Sequence, residues 1–152
     1  MNKEIEYKYL VDKDKWNALE KPEPQLIVQS YLQRLKERAV RVRIKGDKGY
    51  LTIKGQTIGV TRAEYEYEIP VNEAKTMIED FNLTSMRKLR YEIVFAGKTW
   101  EVDVFEGKLS GLILAEIELE SEDEHFEKPD WVTEDVSSDP QYYNSELIAR
   151  CD

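Results

Sequence analysis

Apolar and polar residues alternate along most of this chain with a period of two. This is typical of β-strands, because successive side chains of a strand point to opposite faces. Eight segments have the pattern, over residues 2–10, 25–36, 38–45, 49–55, 59–70, 85–96, 98–105 and 112–120. Gly46-Asp47-Lys48-Gly49 and Ala96-Gly97-Lys98 indicate tight hairpins, and residues 55–59 indicate a longer connection. The sequence therefore predicts mainly antiparallel strands.

Helical patterns are short and lie between or after the strands. They cover residues 12–20, residues 72–81 with Asn72 as the expected N-cap, and residues 140–150. The length of 152 residues predicts a single domain over residues 1–152. The expected fold class is therefore α+β and mainly β, an antiparallel barrel or sandwich with helices packed outside.

The charged residues are distributed unevenly along the chain. They make up 35% of it, and the net charge of −9 argues against a nucleic-acid partner. The acidity is concentrated from Glu116 onward, where thirteen acidic residues stand against two basic ones. Residues 30–62 are instead basic, with nine Lys or Arg against Glu37 and Asp47. This basic stretch favours an anionic ligand.

Several strands carry charges of one sign on their polar face. The basic examples are Arg41 with Arg43 and Lys88 with Arg90, and the acidic ones are Glu64, Glu66 and Glu68, and Glu116, Glu118 and Glu120. One interpretation is an ordinary half-buried sheet with a solvated polar face. Like charges two residues apart on a strand repel, however, unless a bound group compensates them. A polyanion together with a hard cation would compensate both sets.

The candidate chemistry is limited by the residue types present. With many carboxylates and His125 as the single histidine, an oxygen-liganded Mg²⁺ or Mn²⁺ is favoured over zinc. His125 is expected to be solvated, and Cys151 to be frayed rather than catalytic. The sequence contains no Gly-x-x-x-x-Gly-Lys-Ser/Thr phosphate loop, and its one histidine gives little support to a Ser-His-Asp triad. Since no apolar run suits a signal peptide or a membrane span, a soluble cytoplasmic protein is expected.

A series of short motifs runs along the chain. They are Glu4-Ile5-Glu6-Tyr7-Lys8, Arg41-Val42-Arg43, Thr52-Ile53-Lys54-Gly55, Arg62-Ala63-Glu64-Tyr65-Glu66-Tyr67-Glu68-Ile69, Lys88-Leu89-Arg90, Trp100-Glu101-Val102-Asp103-Val104-Phe105 and Ala115-Glu116-Ile117-Glu118-Leu119. In this order the chain resembles the CYTH domain family, the triphosphate tunnel metalloenzymes, over nearly its whole length. Residues 135–144 resemble the terminal motif of that family, with Ser137 where Thr is common and Gln141 where a basic residue is common.

The resemblance implies a closed eight-stranded antiparallel barrel around a hydrophilic tunnel, with the charged strand faces pointing inward. It implies that cations in the tunnel bind a triphosphate, here Lys8, Arg41, Arg43, Lys54, Arg62, Lys88 and Arg90. It also implies Mg²⁺ or Mn²⁺ on Glu4, Glu6, Glu116 and Glu118, with Asp103, Glu64 and Glu66 as further metal-binding or water-orienting groups. The catalytic groups would then be Lys8, Glu4, Glu6 and Asp103.

The expected function is metal-dependent hydrolysis of inorganic triphosphate, or of a related small triphosphate compound, by a small bacterial-type triphosphatase. A class IV adenylyl cyclase and a thiamine triphosphatase are alternatives within the same fold, and a non-catalytic polyphosphate-binding module is an alternative of another class. The expected partner is a small triphosphate, with neither nucleic acid nor membrane, and a homodimer is left open. Gln141 weakens the case for a contact of the tail with phosphate, because it removes a charge.

Overall fold

The computed structural model describes residues 2–151, which form nine β-strands and a few short helices. The strands are β1 (Lys3–Val11), β2 (Gln25–Arg34), β3 (Arg38–Lys45), β4 (Lys48–Gly55), β5 (Thr61–Ile69), β6 (Met86–Phe95), β7 (Lys98–Phe105), β8 (Ile113–Leu119) and β9 (Val132–Asp135). The α-helices are α1 (Lys13–Ala18), α2 (Val71–Asp80) and α3 (Asn144–Leu147), and 3₁₀ turns cover Gly107–Leu109, Pro140–Tyr142 and Ile148–Cys151. The eight predicted strands are confirmed to within a few residues at their ends, and β9 is additional.

Eight of the strands close into an antiparallel barrel. The strand order is β5-β4-β3-β2-β6-β7-β8-β1, and β1 pairs with β5 to complete the circle, with Glu4 opposite Arg62. The ninth strand, β9, pairs with the far half of β1 through Tyr9 and Val11. Closure gives each barrel strand two neighbours, which removes the unpaired edges that an open sheet would carry.

The two tight hairpins follow the predicted turn chemistry. Gly46 and Asp47 connect β3 to β4, and Gly46 has a φ of +61°. Ala96 and Gly97 connect β6 to β7 with φ values of +50° and +79°. Positive φ at both central residues, as in the second hairpin, or at the first of them, as at Gly46, matches the right-handed twist of the flanking strands, which is why such turns are favoured in two-residue hairpins.

Helix α1 lies where the sequence predicts it, with Asp12 accepting a hydrogen bond from the Lys15 backbone nitrogen at its start. Helix α2 begins one residue earlier than predicted. Asn72 is not its N-cap, because the helix starts at Val71 directly after Pro70 and has no side-chain cap. The predicted C-terminal helix is broken into α3 and two 3₁₀ turns. None of the helices in the described chain has the length and apolar character needed to cross a membrane.

The main apolar cluster lies outside the barrel. Its buried members are Tyr9, Trp16, Trp100, Val102, Ala115, Ile117, Leu119, Trp131 and Val132. Trp16 comes from α1 and Trp131 from the segment that precedes β9, so these two elements cover the outer faces of β1, β7 and β8. The usual arrangement of a half-buried sheet is therefore inverted, and the charged faces point into the barrel.

One end of the barrel interior is apolar. Its buried residues are Met86, Phe105, Leu109, Leu114, Val136, Leu147 and Ile148. Strand register places Met86 opposite Gln29, and Phe105 opposite Lys88, on the inward faces. Leu147 and Ile148 of the C-terminal segment pack against them, so this end is filled by side chains, and the hydrophilic space expected throughout the interior occupies only part of it.

Candidate functional site

The inward side chains of seven strands surround a polar cavity of about 160 Å³. It is lined by Glu4, Glu6, Arg41, Arg43, Lys45, Lys54, Glu64, Glu66, Arg90, Glu101, Glu116, Glu118 and Asn144. A second space of about 50 Å³ shares Glu4, Glu6, Arg41, Lys54 and Asn144 with it and adds, among others, Lys8, Arg62, Ser137 and Tyr143. The shared walls make the two spaces adjoining parts of one interior.

Most of the residues that sequence reasoning proposed for the site line this interior. They are Glu4, Glu6, Lys8, Arg41, Arg43, Lys54, Arg62, Glu64, Glu66, Arg90, Glu116 and Glu118. Lys88 and Asp103 do not line either space. Their side chains are 0% and 1% exposed, and they form an ion pair of 2.7 Å between Lys88 Nζ and Asp103 Oδ2. The structure therefore separates these two residues from the cavity wall.

Asp103 fixes the orientation of Arg90. The Arg90 guanidinium donates to both carboxylate oxygens of Asp103, through Nε at 2.8 Å and Nη2 at 2.9 Å. Burial alone would raise the pKa of Asp103, but Arg90 and Lys88 outweigh it and hold the pKa well below its usual range. The remaining nitrogen, Nη1, lies 3.3 Å from Glu101 on the same side of the barrel. Arg90 is therefore held rigidly at the cavity wall by a two-point contact.

Lys54 lies between two carboxylates. Its Nζ atom is 3.0 Å from Oε1 of Glu4 and 3.2 Å from Oε2 of Glu64. Burial would raise the pKa of Glu4, but the charge of Lys54 prevails and lowers it to about 2. Glu4 is therefore ionised at neutral pH.

Arg41 has a buried nitrogen without a partner. Its Nη2 atom donates to Thr52 Oγ1 at 3.1 Å and to Glu66 Oε2 at 3.3 Å. Its Nε atom is buried and has no hydrogen-bond partner among the described residues. A buried donor without a partner is costly, so this nitrogen is a ready contact for an oxygen of a bound anion.

The C-terminal segment reaches the interior lysines. The ammonium of Lys8 donates to the backbone oxygen of Tyr142 at 2.9 Å and lies 3.6 Å from Glu116. The backbone nitrogen of Lys8 donates to Ser137 Oγ at 2.9 Å. Lys88 donates to Asn144 Oδ1 at 3.2 Å. The segment is thus joined to both lysines through hydrogen bonds.

Two positions of the C-terminal motif behave differently from each other. Ser137 has the hydroxyl group that Thr would also have, and this hydroxyl accepts a hydrogen bond from the Lys8 backbone nitrogen. Gln141 is exposed, its side chain donates to Asp139 at 2.9 Å, and it lines neither space of the interior. The substitution at Ser137 therefore keeps a hydroxyl contact, whereas Gln141 makes no contact in the interior.

Gln29 and Asn144 hold interior cations although sequence reasoning gave neither a role. Gln29 Oε1 accepts from Arg43 Nε at 3.0 Å and from Nη2 at 2.7 Å, and the Asn144 amide accepts from Lys88. A signal for Gln29 was its polar side chain directly after the apolar run Leu26-Ile27-Val28, on the same strand face as Ile27. Asn144 is the last residue of the terminal motif, and its position there is the only sequence signal for its role.

Glu6 and Glu118 form a pair of acids on neighbouring strands. They lie opposite each other on β1 and β8, and no Lys or Arg nitrogen among residues 2–151 is within 4.0 Å of either carboxylate. Burial raises the pKa of Glu6, with Glu116 and Glu4 adding to the shift. Partial burial also raises the pKa of Glu118, which remains partly exposed, to about 7, and Glu4, Glu64 and Glu101 contribute. A cation at this point would relieve the repulsion.

The donor set here consists of carboxylate oxygens, which suits a hard divalent cation such as Mg²⁺ or Mn²⁺. As the side chains are arranged, no three His, Cys, Asp or Glu of the described chain are grouped closely enough to hold a metal ion. The acids near Glu6 and Glu118 are paired with cations: Glu4 and Glu64 with Lys54, Glu116 with Lys8, and Glu101 with Arg90. The carboxylate oxygens suit a hard cation chemically. To bind one, carboxylates that are now paired with lysines would have to coordinate the cation as well.

Comparison with known proteins gives two curated relatives. A sequence model of the CYTH domain matches residues 2–151. The chain is 48% identical over 149 residues to the protein of Acetivibrio thermocellus named Inorganic triphosphatase, covering 97% of this chain and 94% of that one. A protein of the same name from Nitrosomonas europaea is 35% identical over 111 residues, or 71% of this chain and 73% of that one.

Solved structures share the fold. A crystal structure of an inorganic triphosphatase superimposes with a TM-score of 0.66 at 31% identity, over 95% of this chain and 93% of that one. A conserved protein from Pyrococcus furiosus gives a TM-score of 0.60 at 22% identity, over 79% of this chain and 80% of that one. The second likeness bears on the fold alone.

Proposed function

The chain belongs to the CYTH domain family, and on that premise we propose that it hydrolyses inorganic triphosphate. Water would cleave one phosphoanhydride bond, and the products would be pyrophosphate and phosphate. The observation that carries this proposal is the closed barrel whose interior combines buried Lys and Arg with buried carboxylates. The identity of 48% to a relative named Inorganic triphosphatase supports it.

The interior cations would bind the substrate. Phosphoryl transfer depends mainly on positioning and on neutralising the charge of the phosphate oxygens. We assign this role to six of the cations that line the interior: Lys8, Arg41, Arg43, Lys54, Arg62 and Arg90. Lys88 and Asp103 would act on the substrate indirectly, through Arg90. Asp103 pairs with Arg90, and Lys88 pairs with Asp103 behind the cavity wall.

The carboxylates would hold a divalent cation. We assign Glu6 and Glu118 to it first, since neither is paired with Lys or Arg among the described residues, with Glu4 and Glu116 completing the set and Glu64 and Glu66 beside them. When bound, Mg²⁺ or Mn²⁺ would offset charge on the phosphate oxygens and favour the attack of water. The carboxylate oxygens that remain free would accept hydrogen bonds from that water and orient it.

Contacts with the substrate would replace ion pairs that the protein forms within itself. Lys54, Lys8 and Arg41 are each paired with a glutamate in the structure. A triphosphate would compete for the cations, and a metal would compete for the glutamates. Binding both together exchanges one set of buried ion pairs for another, so little buried charge is left uncompensated.

The experiment that tests this function is phosphate release from tripolyphosphate, ATP, thiamine triphosphate and pyrophosphate, with Mg²⁺, with Mn²⁺ and with EDTA. We expect tripolyphosphate to turn over fastest and EDTA to abolish release. Cyclic AMP as the product from ATP would favour the cyclase, and a preference for thiamine triphosphate would favour that triphosphatase. Tight binding of tripolyphosphate with no release under either metal would favour the non-catalytic module.

A further inference from the structure

The buried cations of the interior are neutralised in different ways. Five are more than nine-tenths buried: Lys8, Arg41, Arg43, Lys88 and Arg90. Four have a carboxylate partner, which is Glu116 for Lys8, Glu66 for Arg41, and Asp103 for Lys88 and Arg90. Arg43 has no carboxylate within 4.0 Å in the part of the chain that the structure describes. Its partner is the neutral amide of Gln29.

The Gln29 contact fixes the guanidinium of Arg43 at two points. Gln29 lies opposite Arg43 in the register of β2 and β3. Its Oε1 atom accepts from Nε at 3.0 Å and from Nη2 at 2.7 Å. The Gln29 side chain is 0% exposed, and its Nε2 atom has no hydrogen-bond partner among residues 2–151. Arg43 lines the 160 Å³ cavity, so the amide holds it from behind the wall.

An amide and a carboxylate would orient this guanidinium equally well, but they differ in charge. A carboxylate would cancel the charge of Arg43, whereas the amide leaves it whole. Burial lowers the pKa of Arg43 to about 9, and the nearby charges of Arg41 and Arg90 contribute. Arg43 is still protonated at neutral pH, in surroundings that disfavour its charge. An anion bound against it would relieve this cost.

We propose that Gln29 is a positioning residue for the substrate, which holds Arg43 in the cavity wall without cancelling the charge that attracts a phosphate group. The inference rests on the proposed function, because the phosphate group is that of the triphosphate. Replacing the amide by a carboxylate of the same shape keeps the contact with Arg43 and nevertheless weakens anion binding.

Two variants separate charge from contact. Gln29→Glu keeps the shape and the acceptor and adds a negative charge, whereas Gln29→Met keeps a similar volume and removes the acceptor. Gln33→Glu is the matched control, because Gln33 lies on the same strand and accepts from Arg38 Nε at 2.6 Å in an exposed contact. Each protein is checked for folding by circular dichroism. Tripolyphosphate binding in EDTA, the unfolding temperature in EDTA, and KM and kcat with Mg²⁺ are then measured.

Gln29→Glu should bind tripolyphosphate at least about tenfold more weakly than the native protein, the loss expected for one charge-assisted contact. Its KM should rise by a similar factor with a smaller change in kcat, and its unfolding temperature should stay equal or rise. Gln29→Met should unfold at a lower temperature, bind several-fold more weakly than the native protein, and still bind better than Gln29→Glu. Gln33→Glu should match the native protein. If Gln29 had only a structural role, the affinities of the variants for tripolyphosphate would follow the order of their unfolding temperatures.

A Gln29→Glu protein that binds as tightly as the native protein, or more tightly than Gln29→Met, would overturn the proposal. Native-like binding by Gln29→Met would also overturn it, and this variant decides the matter if Gln29→Glu does not fold. A native protein that binds no tripolyphosphate in EDTA contradicts it as well. If the native protein binds tripolyphosphate but releases no phosphate with either metal, the proposed function fails, and the order of affinities still decides the role of Gln29.

Discussion

Single carboxylates of the interior differ in what surrounds them. Glu4 is held ionised by Lys54, which lowers its pKa to about 2 against the effect of burial. Glu118 has no Lys or Arg nitrogen within 4.0 Å in the described chain, and burial with Glu4 and Glu64 raises its pKa to about 7. The two acids line the same cavity. The site therefore contains both an acid that a lysine keeps ionised and an acid whose ionisation the surroundings disfavour.

Glu118→Gln should change the pH dependence of stability in the metal-free protein. Because the pKa of Glu118 rises from 4.5 to about 7 on folding, the ionised form is less favourable in the folded state. The contribution of this group to stability is therefore lost as pH rises from about 4.5 through about 7. In EDTA the variant should melt at or above the native temperature near pH 8, with the gap closing near pH 5. A gap that does not change with pH would contradict this assignment.

The same variant should respond less to metal. Saturating Mg²⁺ stabilises the native protein by RT ln(1 + [L]/Kd), and this gain should shrink when a ligand is lost. Glu134→Gln is the matched control, because Glu134 is exposed on β9. Thermal melts with EDTA and with Mg²⁺ measure the difference. An unchanged Mg²⁺ shift in Glu118→Gln, beside a normal rate of phosphate release, would remove Glu118 from the metal site.

Alternation along a strand predicted which residues share a face, but not where each residue lies along the barrel axis. Alternation places Lys88 and Arg90 on one strand face, and the family resemblance implies that both bind phosphate. In the barrel Arg90 reaches the cavity, and Lys88 lies toward the apolar end, opposite Phe105 in the strand register. A period of two carries no information on position along the barrel axis. The acidic partner that separates the two roles, Asp103, comes from another strand.

Among the secondary-structure elements, the C-terminal segment closes the apolar end of the barrel. Leu147 of α3 is fully buried against Phe105 and Leu114 of the barrel interior. The same segment is not one of the barrel strands, but Tyr142 and Asn144 in it accept hydrogen bonds from the interior lysines. It therefore couples the packing at this end to the position of the cations.

Leu147→Ala should destabilise the protein by about 2–5 kcal/mol, because it removes buried methyl groups and leaves a cavity that the surrounding strands fill only in part. Urea unfolding measures the change in the free energy of unfolding. Glu146→Ala is the control, since Glu146 is exposed on the same helix, and it should stay within about 0.5 kcal/mol of the native protein. Equal stability of the two variants would show that Leu147 does not close a packed end.

Long strands with alternating charge could be predicted, whereas the four-residue strand β9 and the first residue of α2 could not. Strand β9 has four residues of which three are exposed, so it has no alternation to detect and depends on pairing with β1. Asn72 has the side chain of a good N-cap, but Pro70 fixes a backbone that lets the helix begin before it. In both cases a contact or a constraint from outside the segment overrides its local pattern.

The molecule as a whole turns its polar strand faces inward and its apolar faces outward. Alternation predicted two faces for every strand, and single-sign charge on one of them indicated a bound anion and cation. Which face lies inside could not follow from a period of two, because both arrangements have the same pattern. Closure of β5 on β1, together with Trp16 and Trp131 covering the outside, determines it.

Hydrolysis of tripolyphosphate by Arg41→Ala and by Arg38→Ala decides whether this interior does the chemistry. Arg41 is 4% exposed in the barrel, with Nε unpartnered among the described residues, whereas Arg38 is exposed at the start of the same strand. With Mg²⁺ present, Arg41→Ala should lower kcat/KM by about tenfold to a hundredfold, the equivalent of about 1.5–3 kcal/mol for a charge-assisted contact. Arg38→Ala should stay within about twofold of the native protein. Equal rates in Arg41→Ala and the native protein, or equal losses in both variants, would contradict a catalytic site inside the barrel.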